Sequence, residues 1–206
     1  RIQVRSLECD FLACSPYKFY GPHAGVLWVR EELQQELDVP KLVPAPDQGP
    51  ERFESGTANT EAMAGTTAAV DFLGSLVESD ASSPSRNLDI FFQQLQKREN
   101  DLLERLWTGL QAMETVRLYG PPPGEPRAPT LSFTVEGHEP RAVASGLADL
   151  VGTYLSHGDF YAATVVDRLG LRPGGLLRAG ISLYTTREEV DRLLAGLETF
   201  LNNPVP

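Results

Sequence analysis

A mixed α/β chain ending in a compact α+β domain is the fold class that the sequence predicts, and three observations predict it. Two short apolar runs rich in strand formers, Phe11 to Cys14 and Gly25 to Val29, are separated by a Gly/Pro-punctuated loop, which is how two buried neighbouring strands look. An amphipathic stretch from about Leu88 to Met113 keeps helical spacing over a length that suits a bridge between two parts of a fold. Beyond Thr115 the pattern becomes a series of strand-and-helix alternations.

Taken in order, Glu31 to Leu37 reads as a short helix, and Pro40, Pro44, Pro46 and Pro50 then impose an irregular loop. That loop ends in Phe53-Glu54-Ser55-Gly56-Thr57-Ala58-Asn59-Thr60. Thr60 is the expected cap of a buried helix from Glu61 to Val77, whose small residues Ala64, Gly65, Ala68 and Ala69 suit close packing. The acidic, serine-rich segment from Glu78 to Ser85 reads as a linker. The long helix places Leu95, Leu102, Leu103, Leu106 and Leu110 on one side and Lys97, Arg98, Glu99 and Glu104 on the other, without a strict heptad. Trp107 and Met113 read as core residues.

A strand at Val116 to Tyr119 precedes a proline-rich loop from Gly120 to Pro129. The expected alternations are a strand at Thr130 to Val135 with a helix at Arg141 to Leu150, a strand at Val151 to Leu155 with a helix at Phe160 to Leu169, and a strand at Leu176 to Leu183 with a helix at Arg187 to Asn202. Thr186 before Glu188-Glu189 gives the last helix a capping signature. The predicted domains are residues 1–113, including the long helix, and residues 114–206.

Composition narrows the partners. The 206 residues, 41% hydrophobic, suffice for one sizeable core or two small ones. With 28 acidic and 18 basic side chains the net charge is -10, so there is no basic footprint for nucleic acid or anionic membrane. Cys9 and Cys14 resemble neither a disulfide framework nor a zinc site and read as core thiols, which favours a cytoplasmic setting. No run of 18 apolar residues and no signal peptide is visible. The first residue is arginine, and Ile2 to Leu7 reads as the continuation of something already under way, so a fragment is expected.

The histidines His23, His138 and His157 form no metal-ligand pair, so no metal site is expected. Neither a Gly-x-Gly-x-x-Gly fingerprint nor a Gly-x-Ser-x-Gly elbow occurs. What remains is Lys18, between two expected buried strands, where desolvation would push its amine toward a nucleophilic, imine-forming state; the alternative is a surface lysine in an aromatic loop. Gly56 and Thr57 could hold an anion through backbone N–H groups and a hydroxyl, or simply form a turn. Arg178, in the apolar run Leu176 to Ile181, is expected on a buried strand and so needs an anion, either an internal carboxylate or a substrate's.

Four stretches together resemble the later half of a fold-type I pyridoxal 5'-phosphate enzyme of the class V aminotransferase and cysteine desulfurase group. They are Cys9-Asp10-Phe11-Leu12; Ser15-Pro16-Tyr17-Lys18-Phe19-Tyr20-Gly21-Pro22 with Gly25-Val26-Leu27; Phe53 to Asn59; and Arg178 to Thr186 with Glu188 to Leu193. They occur in the family order across nearly the whole chain. The resemblance implies a large-domain remnant followed by a small α+β domain, with Lys18 as the imine-forming lysine and Ser15 on the cofactor phosphate.

It further implies that Thr57, beside the cofactor-binding Gly56, reaches the phosphate of a neighbouring subunit's cofactor, hence a homodimer with shared sites. Arg178 would clamp the α-carboxylate of a small-molecule amino-acid substrate. Two positions depart from the pattern. Tyr17 stands where a histidine precedes the lysine and can still donate a hydrogen bond to the cofactor. Tyr161, in Ser156 to Ala162, stands where desulfurases carry the cysteine that accepts sulfur. Racemisation, epimerisation, lyase and transamination chemistry are therefore equally open. The expected aspartate partner of the pyridine nitrogen would lie upstream of Arg1, so this chain alone is expected to be inactive or nearly so. The alternative is a scaffold or interaction module that keeps the fold without the chemistry, or a carboxylate-binding domain that uses Arg178 without a cofactor.

Overall fold

The computed structural model describes residues 2–78 and 83–202. The chain divides into two compact units, Arg1–Gln93 and Gln94–Pro206. The division falls inside the long helix, earlier than the boundary expected at 113. Half of the expected linker, residues 79–82, lies outside the described residues.

In the first unit, β1 (Phe11–Cys14) and β2 (Val26–Val29) form an antiparallel pair with Phe11 opposite Val29 and Cys14 opposite Val26. The Arg30 backbone N–H donates to the Asp10 carbonyl at 3.1 Å, and the Arg30 guanidinium pairs with the Asp10 carboxylate at 2.5 Å, which fixes the open end of the hairpin. The expectation that both strands are buried is overturned. Only Val29 is buried; Phe11, Cys14, Val26 and Leu27 are exposed. A two-stranded sheet has two faces to cover, and among the described residues no third strand joins this pair.

Helix α1 (Glu31–Glu36) begins with Glu31 and Glu32, which suit the positive end of its dipole. At its other end the Arg52 guanidinium donates to the carbonyls of Gln34 at 3.0 Å and Leu37 at 2.8 Å. These are carbonyls that a helix terminus leaves without internal partners, so one arginine ties the proline-rich loop back to α1. Helix α2 (Thr60–Ser75) is capped by Asn59, whose Oδ1 accepts from the Ala62 N–H at 3.0 Å. Thr60 is the first helical residue rather than the expected cap. Nor is α2 a buried helix: Ala62, Ala69 and Leu73 are buried, while Met63, Phe72 and Leu76 are exposed.

Helix α3 (Pro84–Gln111) starts four residues before the expected Leu88, and it supplies Leu102, Leu103, Leu106 and Leu110 to the core of the second unit. That core lies under a four-stranded antiparallel sheet of order β3-β4-β6-β5. Its strands are β3 (Val116–Tyr119), β4 (Thr130–Val135), β5 (Ser156–Gly158) and β6 (Leu176–Gly180). Leu131, Phe133 and Val135 alternate inward along β4, and Leu131 and Phe133 pair with Ala179 and Leu177 of β6. The inner face is thus continuous.

Helices α4 (Pro140–Val151), α5 (Ala163–Arg168) and α6 (Arg187–Asn202) complete the second unit. Gly146 of α4 lies so near Phe200 of α6 that a Cβ there would stand 2.5 Å from the ring. The capping box of α6 forms as expected, with Thr186 N–H donating to Glu189 at 2.8 Å and Glu189 N–H donating to Thr186 Oγ1 at 3.2 Å. The strand expected at 151–155 is displaced to Ser156–Gly158, because α4 continues through Val151 and ends on Gly152 at φ 62°. The helix expected from Phe160 is correspondingly shorter, starting at Ala163, and the strand expected to reach Leu183 ends at Gly180.

Candidate functional site

The loop between β1 and β2 is fixed from within. Pro16–Phe19 forms one 3-10 turn, with Lys18 N–H donating to the Ser15 carbonyl at 3.0 Å and Gly21 N–H to that of Pro16 at 2.9 Å. Tyr20 ends the turn in the left-handed region at φ 68°. Gly21 is required where it stands, since a Cβ there would meet the Pro16 Cβ at 2.9 Å. Pro22 rests against Gly65 of α2, whose added Cβ would lie 3.3 Å from the proline ring. The small residue anticipated for close packing thus packs against the lysine loop.

On this frame the Tyr17 ring stacks on His23, with centroids 4.9 Å apart and planes 18° from parallel. Lys18 Nζ lies 5.7 Å from the Tyr17 ring centroid, within cation–π reach. Lys18 and Ser15 border one cleft of about 820 Å³, together with Cys14, Phe19, Phe53 and Glu54. Lys18 is exposed, contrary to the expected desolvation, because the strands on either side of it are themselves uncovered. Cys14 is likewise exposed on the cleft rather than a core thiol, and Cys9 is partly exposed; both are free.

Gly56 and Thr57 are exposed and follow the cleft wall formed by Phe53 and Glu54. Gly56 occupies a bend with open space around it and without a left-handed φ, so the tight glycine turn expected there is absent.

Arg178 belongs to the second unit. The expectation of a buried guanidinium is overturned: on β6, Leu177 and Ala179 point into the core and Arg178 points to the outer face, where it is exposed. A period of two dictates this, and the flanking apolar residues concealed it. Across the sheet Arg178 lies opposite Ser132 of β4 on one side and Ser156 of β5 on the other. Its Cζ lies 4.4 Å from the centroid of the Phe160 ring, and among the described residues no carboxylate pairs with it. Phe160, Cys14 and Glu54 were not anticipated as neighbours of functional groups. Tyr161, expected from the resemblance to stand in the sulfur-acceptor position, is fully exposed.

The first unit bears a lysine and a serine on a common cleft, and the second bears an arginine on an outward sheet face with no carboxylate partner among the described residues. The chain belongs to the class-V aminotransferase family, whose pattern matches residues 1–193. It is 30% identical to a probable cysteine desulfurase of Xylella fastidiosa over 95% of this chain and 45% of that protein. A cysteine desulfurase of Salmonella agona is 31% identical over 95% of this chain and 47% of its own length. Among solved structures, the apo cysteine desulfurase of Thermococcus onnurineus superimposes with a TM-score of 0.79 at 29% identity, over 97% of this chain and 48% of that one. The chain spans about half the length of the curated relatives it matches.

Proposed function

We propose that this chain is the later half of a pyridoxal 5'-phosphate-dependent enzyme acting on an α-amino acid. The observation that carries the reading is that Lys18 and Ser15 border one cleft, a primary amine for a carbonyl and a hydroxyl for a phosphate. That donor set fits the cofactor. When bound, the cofactor supplies an electron sink for breaking a bond at the substrate α-carbon.

The chain's own residues divide the remaining work. Lys18 Nζ would hold the cofactor carbonyl carbon, and its amine would take or return a proton at the substrate α-carbon. The Ser15 hydroxyl would hold the phosphate. The Tyr17 phenol donates a hydrogen bond beside the lysine, in place of the histidine of the family pattern. Arg178 offers two parallel N–H donors to the substrate carboxylate, a geometry that suits its planar fork. Gly56 and Thr57 would serve the phosphate of a second subunit's cofactor, which makes the whole enzyme a homodimer with shared sites in this reading. The enzyme is cysteine desulfurase-like or class V aminotransferase-like; tyrosine cannot accept sulfane sulfur, so with Tyr161 in the acceptor position lyase, epimerase, racemase and aminotransferase reactions are favoured over sulfur transfer. Residues 1–113 are assigned to the cofactor domain and 114–206 to the small domain, and the chain by itself has little or no activity.

Reduction with borohydride after incubation with pyridoxal 5'-phosphate, followed by peptide mass analysis, tests the reading. A pyridoxyl group is expected on Lys18 and none on the corresponding peptide of Lys18→Ala. Label distributed over surface lysines, or unchanged in K18A, sinks the lysine assignment and leaves the scaffold reading in its place. A second measurement, light scattering of the native protein, gives the mass of a dimer if Thr57 serves a neighbour.

A further inference from the structure

We infer that Phe160 is the positioning residue for Arg178, holding the guanidinium by its face so that its N–H edges stay free for a carboxylate. The inference rests on the carboxylate-clamp reading of Arg178 and deepens it. A guanidinium carries all its donors in its plane, and the Phe160 ring, over which Arg178 Cζ lies 4.4 Å from the centroid, offers it a π surface rather than a carboxylate acceptor. An acidic partner would bind the same edges that a substrate needs. The aromatic contact restrains the long side chain and leaves its hydrogen-bonding capacity intact.

The turn that presents Phe160 is built against local preference. Phe160 at φ 53° and Tyr161 at φ 60° are consecutive non-glycine residues in the left-handed region, where each L-residue costs free energy. Such strain persists only where the surroundings over-determine it, and here they do. Asp159 Oδ1 accepts from the Tyr161 N–H at 3.1 Å, and the Asp159 carbonyl accepts from Ala162 at 2.7 Å. Gly158, just before the turn, pairs with Leu176 on β6. It also approaches Gly175 so closely that a Cβ on Gly175 would stand 2.3 Å from the Gly158 carbonyl oxygen. The turn is therefore tethered to the strand that carries Arg178, two residues from it.

Directly opposed residues in an antiparallel sheet share a face. Ser132 and Ser156 accordingly flank Arg178 on its own face and leave the guanidinium a small polar surround. Phe160 is the bulky group that sets its direction.

The test uses Phe160→Leu, which keeps the bulk and removes the π face, and Phe160→Tyr, which keeps both. In the nuclear magnetic resonance spectrum of the chain, the Arg178 Nε–H signal, assigned by its loss in Arg178→Lys, is expected at an upfield, ring-shifted position. F160Y should retain the shift and F160L abolish it. In the cofactor-loaded protein, F160L should weaken L-alanine binding about fivefold and leave ethylamine, which lacks the carboxylate, unchanged, with F160Y restoring L-alanine affinity. Equal loss for L-alanine and ethylamine would assign Phe160 a general structural role and overturn the inference. Unchanged L-alanine affinity in F160L, with R178K weakened, would overturn the inference alone. Unchanged affinity in R178K would remove the carboxylate-clamp reading beneath it.

Discussion

The hairpin β1-β2 and the sheet β3-β4-β6-β5 are made from similar residues and differ in what covers them. Along β4 every second side chain is buried, and the helices α3, α4 and α6 supply the opposing layer. Along β1 and β2 the apolar side chains are exposed, except for the half-buried Leu12 and the buried Val29. Strand propensity makes the ladder in both places, but burial depends on a second layer. The proposed functional groups follow the same division. Lys18 borders a cleft walled by an uncovered hairpin, whereas Arg178 stands on the open side of a sheet whose other side is firmly packed.

The same substitution in both places breaks or sustains this contrast. Phe133 is fully buried, and Phe133→Ala should cost about 3–5 kcal/mol. Phe11 is 47% exposed, and Phe11→Ala should fall within about 0.5 kcal/mol of the parent. Trp107 packs against the core of the second unit and Trp28 lies on β2, so fluorescence of single-tryptophan variants during urea unfolding reads each unit separately. Equal losses for the two phenylalanines would show that the hairpin is covered in solution.

A smaller effect probes how tight the covered side is. Gly146→Ala in α4 should lose about 1–3 kcal/mol through the clash with Phe200, against a gain of about 1 kcal/mol in helix propensity. The net change is expected to be destabilising. A stabilised G146A, measured by the same urea titration, would mean that α4 and α6 can move apart without loss.

How legible the molecule was depended on whether a signal was local. The alternation of Thr130–Val135 and the Thr186/Glu189 capping box could be read because each is complete within a few residues. Lys18, Ser15 and Arg178 could be singled out because charge or hydroxyl interrupts apolar runs. What escaped depended on partners distant in sequence. An apolar run cannot state whether its second layer is present, so the hairpin was read as buried and Lys18 as desolvated. The displaced β5 is a different failure. Gly152 carried a helix C-cap signal, but Val151 to Leu155 looked strand-like and obscured it. The Phe160 contact with Arg178 joins a turn to a strand, and nothing in either segment announces it.

The smallest expected effect concerns charge on the covered unit. Glu99, assigned to the water-facing side of α3, is partly buried, and desolvation raises its carboxyl above the ordinary glutamate range. Asp191 is shifted the other way, lowered chiefly by its hydrogen bond from Arg105. The signs of the two contributions therefore oppose. For Glu99 the folded state binds the proton more tightly, so its contribution is fully present below the unfolded pKa and is lost as pH rises through the raised folded value. For Asp191 the contribution is present above the unfolded pKa and is lost as pH falls through the depressed one. Glu99→Gln, a neutral side chain of the same size, should accordingly be slightly more stable than the parent at neutral pH. That advantage should shrink as the solution is acidified past the glutamate range. Urea midpoints across the acid-to-neutral interval would reveal it; an advantage that stays constant with pH would mean that Glu99 titrates as freely as its position on the helix first suggested.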